Sequence, residues 1–558
     1  MGGQVNEPLR DLVRPVLCVR ILFRDVAWPT LSMAIPGTIN SMISYFYPLW
    51  FSAGLGGALL LLGIASFARF RPLHKSLTTI WLTVMACLWL LAPVTGRWMF
   101  SVWSPAGVLG GQVLLEMTPG IWWCGFTLAV VFAAVTWGEL VERRETLSMV
   151  GPLLLSVLLI VNTSLAANSL LTTLAAWAMF DLLWSAVGLT AGAGGERVTL
   201  GLTIHGIASI ILWSVSLLLL RAGESGLWWL MWPSTPMLTL LLLAAGMRMG
   251  FFPFQIVFPP RLGKARALNL TALTGPLMGV GLLHRIMSLP GMTHVPDWML
   301  VWGVFSVLWN GVMVWTARRG RITLRAWHTV LLIGITGACA AGLADGLLLA
   351  TSVWIAVCGL LMMARPRDSR APAWSWPAMV ALLFAIGTPP SPLGPLCWTL
   401  LAALPWSGRL LLIVGGALTS ATLLGESLPR SAGATAAPWP WLRVGLLVGL
   451  SSVVTLLLAM PSFPGATQFS WLGLGLWLLW LLLAVGAARW RVWARPWRVQ
   501  LYPFLDFLDL QWFFRAMWRG MGNLLGVVRL ASEVVEGSGA MVWSLLIMLL
   551  VLLVVMNR

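Results

Sequence analysis

Apolar stretches close to twenty residues long recur along almost the whole chain, each bounded by arginine, proline, glycine or tryptophan. A helix of about 20 apolar residues crosses a hydrocarbon core of roughly 30 Å. The pattern predicts spans near 44–68, 76–95, 120–141, 147–166, 169–191, 199–221, 235–258, 268–287, 298–318, 326–345, 346–364, 376–404, 408–425, 442–460, 469–488 and 540–557. This is the layout of an all-α polytopic membrane protein with about 14–16 transmembrane helices.

Two of these spans are interrupted. In AAGMRMGFFPFQIVFPP (244–260) Arg248 and Pro253 stand inside an apolar run, and in AIGTPPSPLGPLC (385–397) Pro389 and Pro390 do the same. Proline in a spanning helix frees backbone groups that protein or water must satisfy, and a charge at membrane depth marks a functional candidate. Interrupted helices in the two halves of a many-span chain point to two inverted repeats containing broken helices, as in transporters.

The ends read differently. Residues 1–40 carry Arg10, Arg14, Arg20 and Arg24 spaced through apolar positions, as in an amphipathic interfacial segment, and lack a signal-peptide layout. Residues 41–145 hold the first transmembrane helices, and 146–488 the transmembrane core with its two broken helices. In 489–539 apolar residues recur at three and four from about Leu501 to Val535, with Arg515, Arg519 and Arg529 on a polar stripe. That suits a helix lying along the membrane surface, before a terminal span at 540–558.

Composition changes the picture only in its charge. The chain of 558 residues is 59% hydrophobic and 9% charged, yet its net charge is +17. Most basic residues fall in alternate loops, including Arg69, Lys75, Arg143, Arg144, Arg261, Arg318, Arg319, Arg321 and Arg365. By the positive-inside bias that face is cytoplasmic and both termini lie outside. The excess is a topology signal, and no nucleic-acid partner is expected. The 36 tryptophans, many near span ends, fit an interfacial aromatic belt. Cysteines and histidines are scattered singly, so no metal or other cofactor is expected. An integral-membrane transferase would gather acidic or histidine residues in a loop, whereas the 18 acidic residues are dispersed.

Five residues are candidates for an ion path, each with a plainer alternative. Asp181 and Arg248 form either a structural intramembrane ion pair or a gated charge element. Glu116, in VLLEMTPG, either caps a span at the outer interface or serves as a cation inlet. His205 and His328 are hydrogen-bonded core histidines or proton carriers.

The motif order resembles the antiporter-like membrane subunits shared by respiratory complex I, Mrp-type cation antiporters and membrane-bound hydrogenases. LLLAAGMRMGFFPFQIVFPP resembles their first broken helix and NSLLTTLAAWAMFDLLWSAVGL the helix that carries a glutamate. RITLRAWHTVLLIGITGACAAGL resembles the segment K-R-x-L-A-Y-S-S-I, and LLFAIGTPPSPLGPLC the second broken helix. The likeness runs in order from about Leu114 to the C-terminus, and every motif is degraded.

The resemblance implies a glutamate–lysine pair and a row of lysines or histidines that pass protons. Laid on this chain, the glutamate falls on Ala178, with Asp181 one turn later, and its lysine falls on Arg248. The further positions fall near Leu277 and on Trp354, Cys358 and Cys397. Only two lysines exist, Lys75 and Lys264, both in predicted loops. A relay lysine works because burial can lower its pKa, whereas arginine stays charged.

Two functions follow. One is a diverged subunit of a respiratory, redox or ion-translocating complex, its proton path degraded and its role largely structural. The alternative is active proton or sodium translocation through Asp181, Arg248 and water. Either way the chain is at most a non-catalytic subunit of a NADH–quinone oxidoreductase-like or hydrogenase-like complex. The expected partners are other membrane subunits, lipids and quinone-binding or redox subunits, in a bacterial cytoplasmic membrane.

Overall fold

The computed structural model describes residues 37–67, 70–100, 113–140, 150–190, 195–223, 226–257, 266–292, 294–317, 323–364, 393–427 and 471–508, with isolated positions between 383 and 391, 445 and 449, and 510 and 523. The N-terminal segment 1–36, the second proline break at Pro389 and Pro390, and the expected spans at 442–460 and 540–557 lie wholly or mostly outside them.

The chain begins with α1 (Gly37–Ser66) and α2 (Arg71–Trp89), followed by strands β1 (Gly96–Phe100) and β2 (Val113–Met117). The next helices are α3 (Pro119–Glu139), α4 (Val150–Ala166), α5 (Leu170–Thr190), α6 (Gly195–Ala222) and α7 (Thr235–Met249). After the break come α8 (Arg266–Met287), α9 (Asp297–Thr316), α10 (Thr323–Ala341) and α11 (Ala344–Ala364). The last are α12 (Leu393–Ala403), α13 (Trp406–Ser427), α14 (Trp471–Trp493) and α15 (Arg495–Leu508).

Among the described residues, nine helices are long and apolar enough to cross a membrane. Their burial sorts them into layers. The spanning windows of α3, α10 and α11 are 89%, 89% and 100% buried, whereas those of α1 and α14 are 33% and 28% buried. Helices apolar all round belong in the middle of a bundle, and the sparsely covered ones form its rim. α8 lies centrally, packed on α3, α4, α5, α7, α10 and α11. Its Gly279 permits this: a Cβ there would stand 2.7 Å from the Ala245 carbonyl oxygen and 2.8 Å from the Met249 amide nitrogen of α7.

Three details refine the expectations. The break expected in the span 235–258 begins at Gly250, whose left-handed φ of 75° ends the α-helix at Met249. The β1–β2 hairpin, antiparallel with Arg97 opposite Glu116, is a short addition to the all-α architecture. Glu116 caps no helix: it lies on β2, and the cap of α3 is Thr118, whose side chain accepts from the Ile121 amide.

Helix in the segment expected to lie along the membrane starts earlier than its periodicity predicts. α14 continues to Trp493, the chain bends, and α15 runs Arg495–Leu508 through Pro503. Arg498 (2.9 Å) and Arg491 (3.4 Å) both donate to the Ala317 carbonyl at the end of α9. Basic side chains thus satisfy a helix C-terminus from another part of the chain. Phe514 reaches Phe254 just past the break, their ring centroids 6.2 Å apart.

Candidate functional site: a buried charge cluster beside a broken helix

α5 positions Trp177, Phe180, Asp181 and Trp184; α6 positions His205; and the last turn of α7 positions Arg248. The guanidinium is fully covered and grips the Asp181 carboxylate with both arms, Nη1 to Oδ1 at 2.5 Å and Nη2 to Oδ2 at 3.0 Å. Nη2 also reaches the Trp177 carbonyl at 3.4 Å, and the guanidinium carbon lies 4.5 Å from the Trp177 ring centroid. Trp177 and Asp181 are four residues apart and share one face of α5, so a single helix supplies the carboxylate, the carbonyl and the aromatic wall. A two-armed arginine–carboxylate pair is strong and geometrically fixed. The guanidinium keeps its charge under essentially all conditions.

His205 adds a third member. Its Nδ1 stands 3.2 Å from the same Asp181 Oδ1, a close electrostatic contact and not a well-aligned hydrogen bond. Trp184 covers the imidazole with its ring centroid 5.3 Å away. Sequence reasoning named all three residues but paired only Asp181 with Arg248, since nothing in TIHGIAS indicates which neighbour His205 meets.

The break beside Arg248 is filled by protein. The Gly250 amide returns to the Met247 carbonyl at 3.1 Å and the Phe251 amide to the Gly246 carbonyl at 3.0 Å, closing the helix end. His328 of α10 donates from Nε2 to the Met249 carbonyl at 2.6 Å. Ser306 Oγ accepts from the Phe252 amide at 2.9 Å, and the Trp302 indole donates to the Phe252 carbonyl at 2.5 Å. The Phe252–Pro253 peptide that follows is cis. Phe252 is packed against Phe305 and Trp309, with ring centroids 5.2 and 5.1 Å away. Side chains of α9 and α10 therefore satisfy the groups that Pro253 and Gly250 release. His328 belongs to this repair, separate from the contact His205 makes with Asp181.

Beyond the break, the positions that the resemblance assigns to a proton row carry no lysine or histidine and are buried. Leu277, Trp354, Cys358 and Cys397 are all buried, and the Trp354 indole donates to the Trp327 carbonyl at 2.6 Å.

Glu116 sits in a different cluster. Its Oε1 takes the Arg97 Nε and its Oε2 the Arg285 Nη1, both at 2.7 Å. Arg97 is 58% exposed and the Arg285 side chain 5%. Arg285 also donates to the Ala166 carbonyl at 3.2 Å, joining the ends of α8 and α4 to the hairpin. Next to it, His284 Nε2 stands 3.6 Å from Asp345 Oδ1. Arg285 is a functional residue that sequence reasoning did not single out; its place directly after His284 in the apolar run GLLHRIM was the signal available. Among the described residues no group of three or more histidine, cysteine or acidic side chains could hold a metal.

Solved structures share this architecture. A chain of the Mrp complex from Dietzia sp. superposes with a TM-score of 0.66 at 16% identity, over 91% of this chain and 62% of that one. A chain of the membrane-bound sulfane sulfur reductase, an archaeal respiratory membrane complex, gives 0.58 at 15% identity, over 91% of this chain and 99% of its own length. A chain of respiratory complex I from Thermus thermophilus gives 0.54 at 17% identity, over 73% and 97%. This chain has their fold. The many-helix architecture expected from motif order is the one observed, and with nine helices among the described residues long and apolar enough to cross a membrane, the chain is an integral membrane protein. It spans only 62% of the Mrp chain's length. No protein-family model matches the sequence, and neither does any curated protein.

Proposed function

We propose that this chain is an antiporter-like membrane subunit of a multisubunit ion-translocating or respiratory complex, diverged so that its role is largely structural. It fills part of the membrane arm and docks neighbouring membrane subunits, among them quinone-binding or redox subunits. Its basic loops face the cytoplasm of a bacterial cell, with both termini outside. The observation that carries this reading is the Arg248–Asp181 pair: both guanidinium arms are engaged with the carboxylate, and the following row is Leu277, Trp354, Cys358 and Cys397. A group that cannot release its proton, next to positions with no readily titrating side chain, makes a poor relay.

One contact favours the alternative of active translocation. His205 touches the same carboxylate oxygen as Arg248, so a proton reaching the imidazole could compete for Asp181. The test is the purified complex reconstituted in liposomes with a pH-sensitive dye, comparing the wild type with Asp181→Asn and Arg248→Met variants that still assemble. Driven proton movement that survives in the variants supports the structural role. A selective loss assigns them an ion path.

A further inference from the structure

Away from this cluster, the ends of α2, α3 and α4 border a small half-open pocket reached by His74 and three threonines. It is a cavity of about 40 Å³ lined by His74, Lys75, Thr78, Thr79, Thr136, Glu139, Leu140, Val150, Gly151 and Leu154. At roughly 10–15 Å³ per water, it holds about three waters. Lys75, Glu139 and Leu140 are partly exposed and form its rim, while His74, Thr78 and Gly151 are buried and form its floor.

The floor points a hydrogen-bond acceptor into this space. The Leu61 carbonyl of α1 holds the imidazole of His74 on one side, and its Nε2 is buried without a protein partner among the described residues. An orphaned buried polar atom calls for water or an ion. With the Leu61 carbonyl taking the Nδ1 proton, Nε2 presents its lone pair. The Thr78 and Thr79 hydroxyl protons are committed to the His74 and Lys75 carbonyls, and that of Thr136 to its own helix, so these oxygens also face the cavity as acceptors. An acceptor-rich space of this size suits a donor no larger than water. Gly151 allows it, because a Cβ there would collide with Thr78 Oγ1 and stand 2.7 Å from His74 Cε1.

We propose that this pocket is a proton-exchange site, in which His74 takes a proton at Nε2 from cavity water. In that step a hydronium in the cavity becomes water, an Nε2–H bond forms, and the imidazole gains one positive charge. The charged and titratable groups that line the pocket with His74 are Lys75 of its own helix and Glu139 of α3; the residues from α4 are Val150, Gly151 and Leu154, which carry no charge. Lys75 opposes the imidazolium and Glu139 favours it. The site lies at the helix ends joined by the loop that contains Arg143 and Arg144 in sequence.

The test is hydrogen–deuterium exchange at the imidazole Cε1, read for each histidine by mass spectrometry on the full chain in lipid nanodiscs, from about pH 4 to about pH 9. His74 is expected to exchange at least about tenfold faster than the more deeply buried His205 and His328 and to give a sigmoidal pH profile. In Gly151→Ala the added Cβ intrudes between Thr78 and His74, and exchange at His74 is expected to slow at least about threefold. Exchange as slow as that of His205 overturns the proposal by showing a dry pocket. A fast His74 whose rate ignores Gly151→Ala overturns the assignment of this cavity as its source of protons. Unchanged exchange at His205 and His328 shows that the variant is folded.

Discussion

The Arg248–Asp181 pair makes a quantitative prediction that separates a locked charge from two independent residues. Removing one member of a buried ion pair costs about 3–5 kcal/mol, because the other is left uncompensated. In Asp181→Asn the guanidinium keeps the Trp177 ring and carbonyl, and the ring contact is worth about 0.5–2 kcal/mol. That variant should fall at the low end, near 3 kcal/mol. In Arg248→Met the carboxylate keeps the His205 contact and some solvent, its side chain being 11% exposed, so a similar cost of about 3 kcal/mol is expected. Independent effects would sum to about 6 kcal/mol; a double variant that leaves no charge should instead cost only about 1–3 kcal/mol, a coupling of roughly 3 or more. The measurement is reversible unfolding in mixed micelles of mild detergent and SDS, followed by tryptophan fluorescence. A double variant that loses the full sum would refute the reasoning, because the residues would then not be compensating one another.

Other features predict outcomes of different size. Glu116→Gln should destabilise by about 3 kcal/mol, since it strips the buried Arg285 of its counter-charge, while Arg97→Ala on the exposed side should cost under about 1 kcal/mol in the same assay. Trp302→Phe leaves the Phe252 carbonyl without its indole donor, so a loss of about 1–3 kcal/mol is expected, with faster amide exchange confined to the residues around the break. Gly279→Leu forces a side chain into the backbone of α7, and the yield of folded protein in detergent should collapse, whereas the exposed Gly56→Ala leaves it unchanged.

The spans were largely legible because hydropathy reports burial in lipid directly. Pro119–Glu139 and Leu170–Thr190 fall within two residues of the predicted 120–141 and 169–191. The hairpin was not, because its two five-residue strands look like frayed ends of neighbouring spans, and pairing across the residues between them has no periodic signature. The ion pair was readable because two opposite charges inside apolar runs need each other. The partner of Glu116 was hidden, since Arg285 lies 169 residues away and sits at a helix end, where charge ordinarily meets water. His328 was seen as a core histidine or a carrier. Its target, the Met249 carbonyl, exists only because the helix stops there.

The two-armed grip on Asp181 also bears on how the chain responds to an energised membrane. A transmembrane voltage does about 2.3 kcal/mol of work per elementary charge carried through 100 mV. Arg248 and Asp181 carry opposite charges whose atoms touch, so a displacement of the pair as one body moves no net charge through the field. A lysine that empties and refills with protons would feel each change in potential; this pair sums to zero and hardly does. Whatever the voltage across the bilayer, the Arg248–Asp181 pair at the end of α7 is electrically quiet.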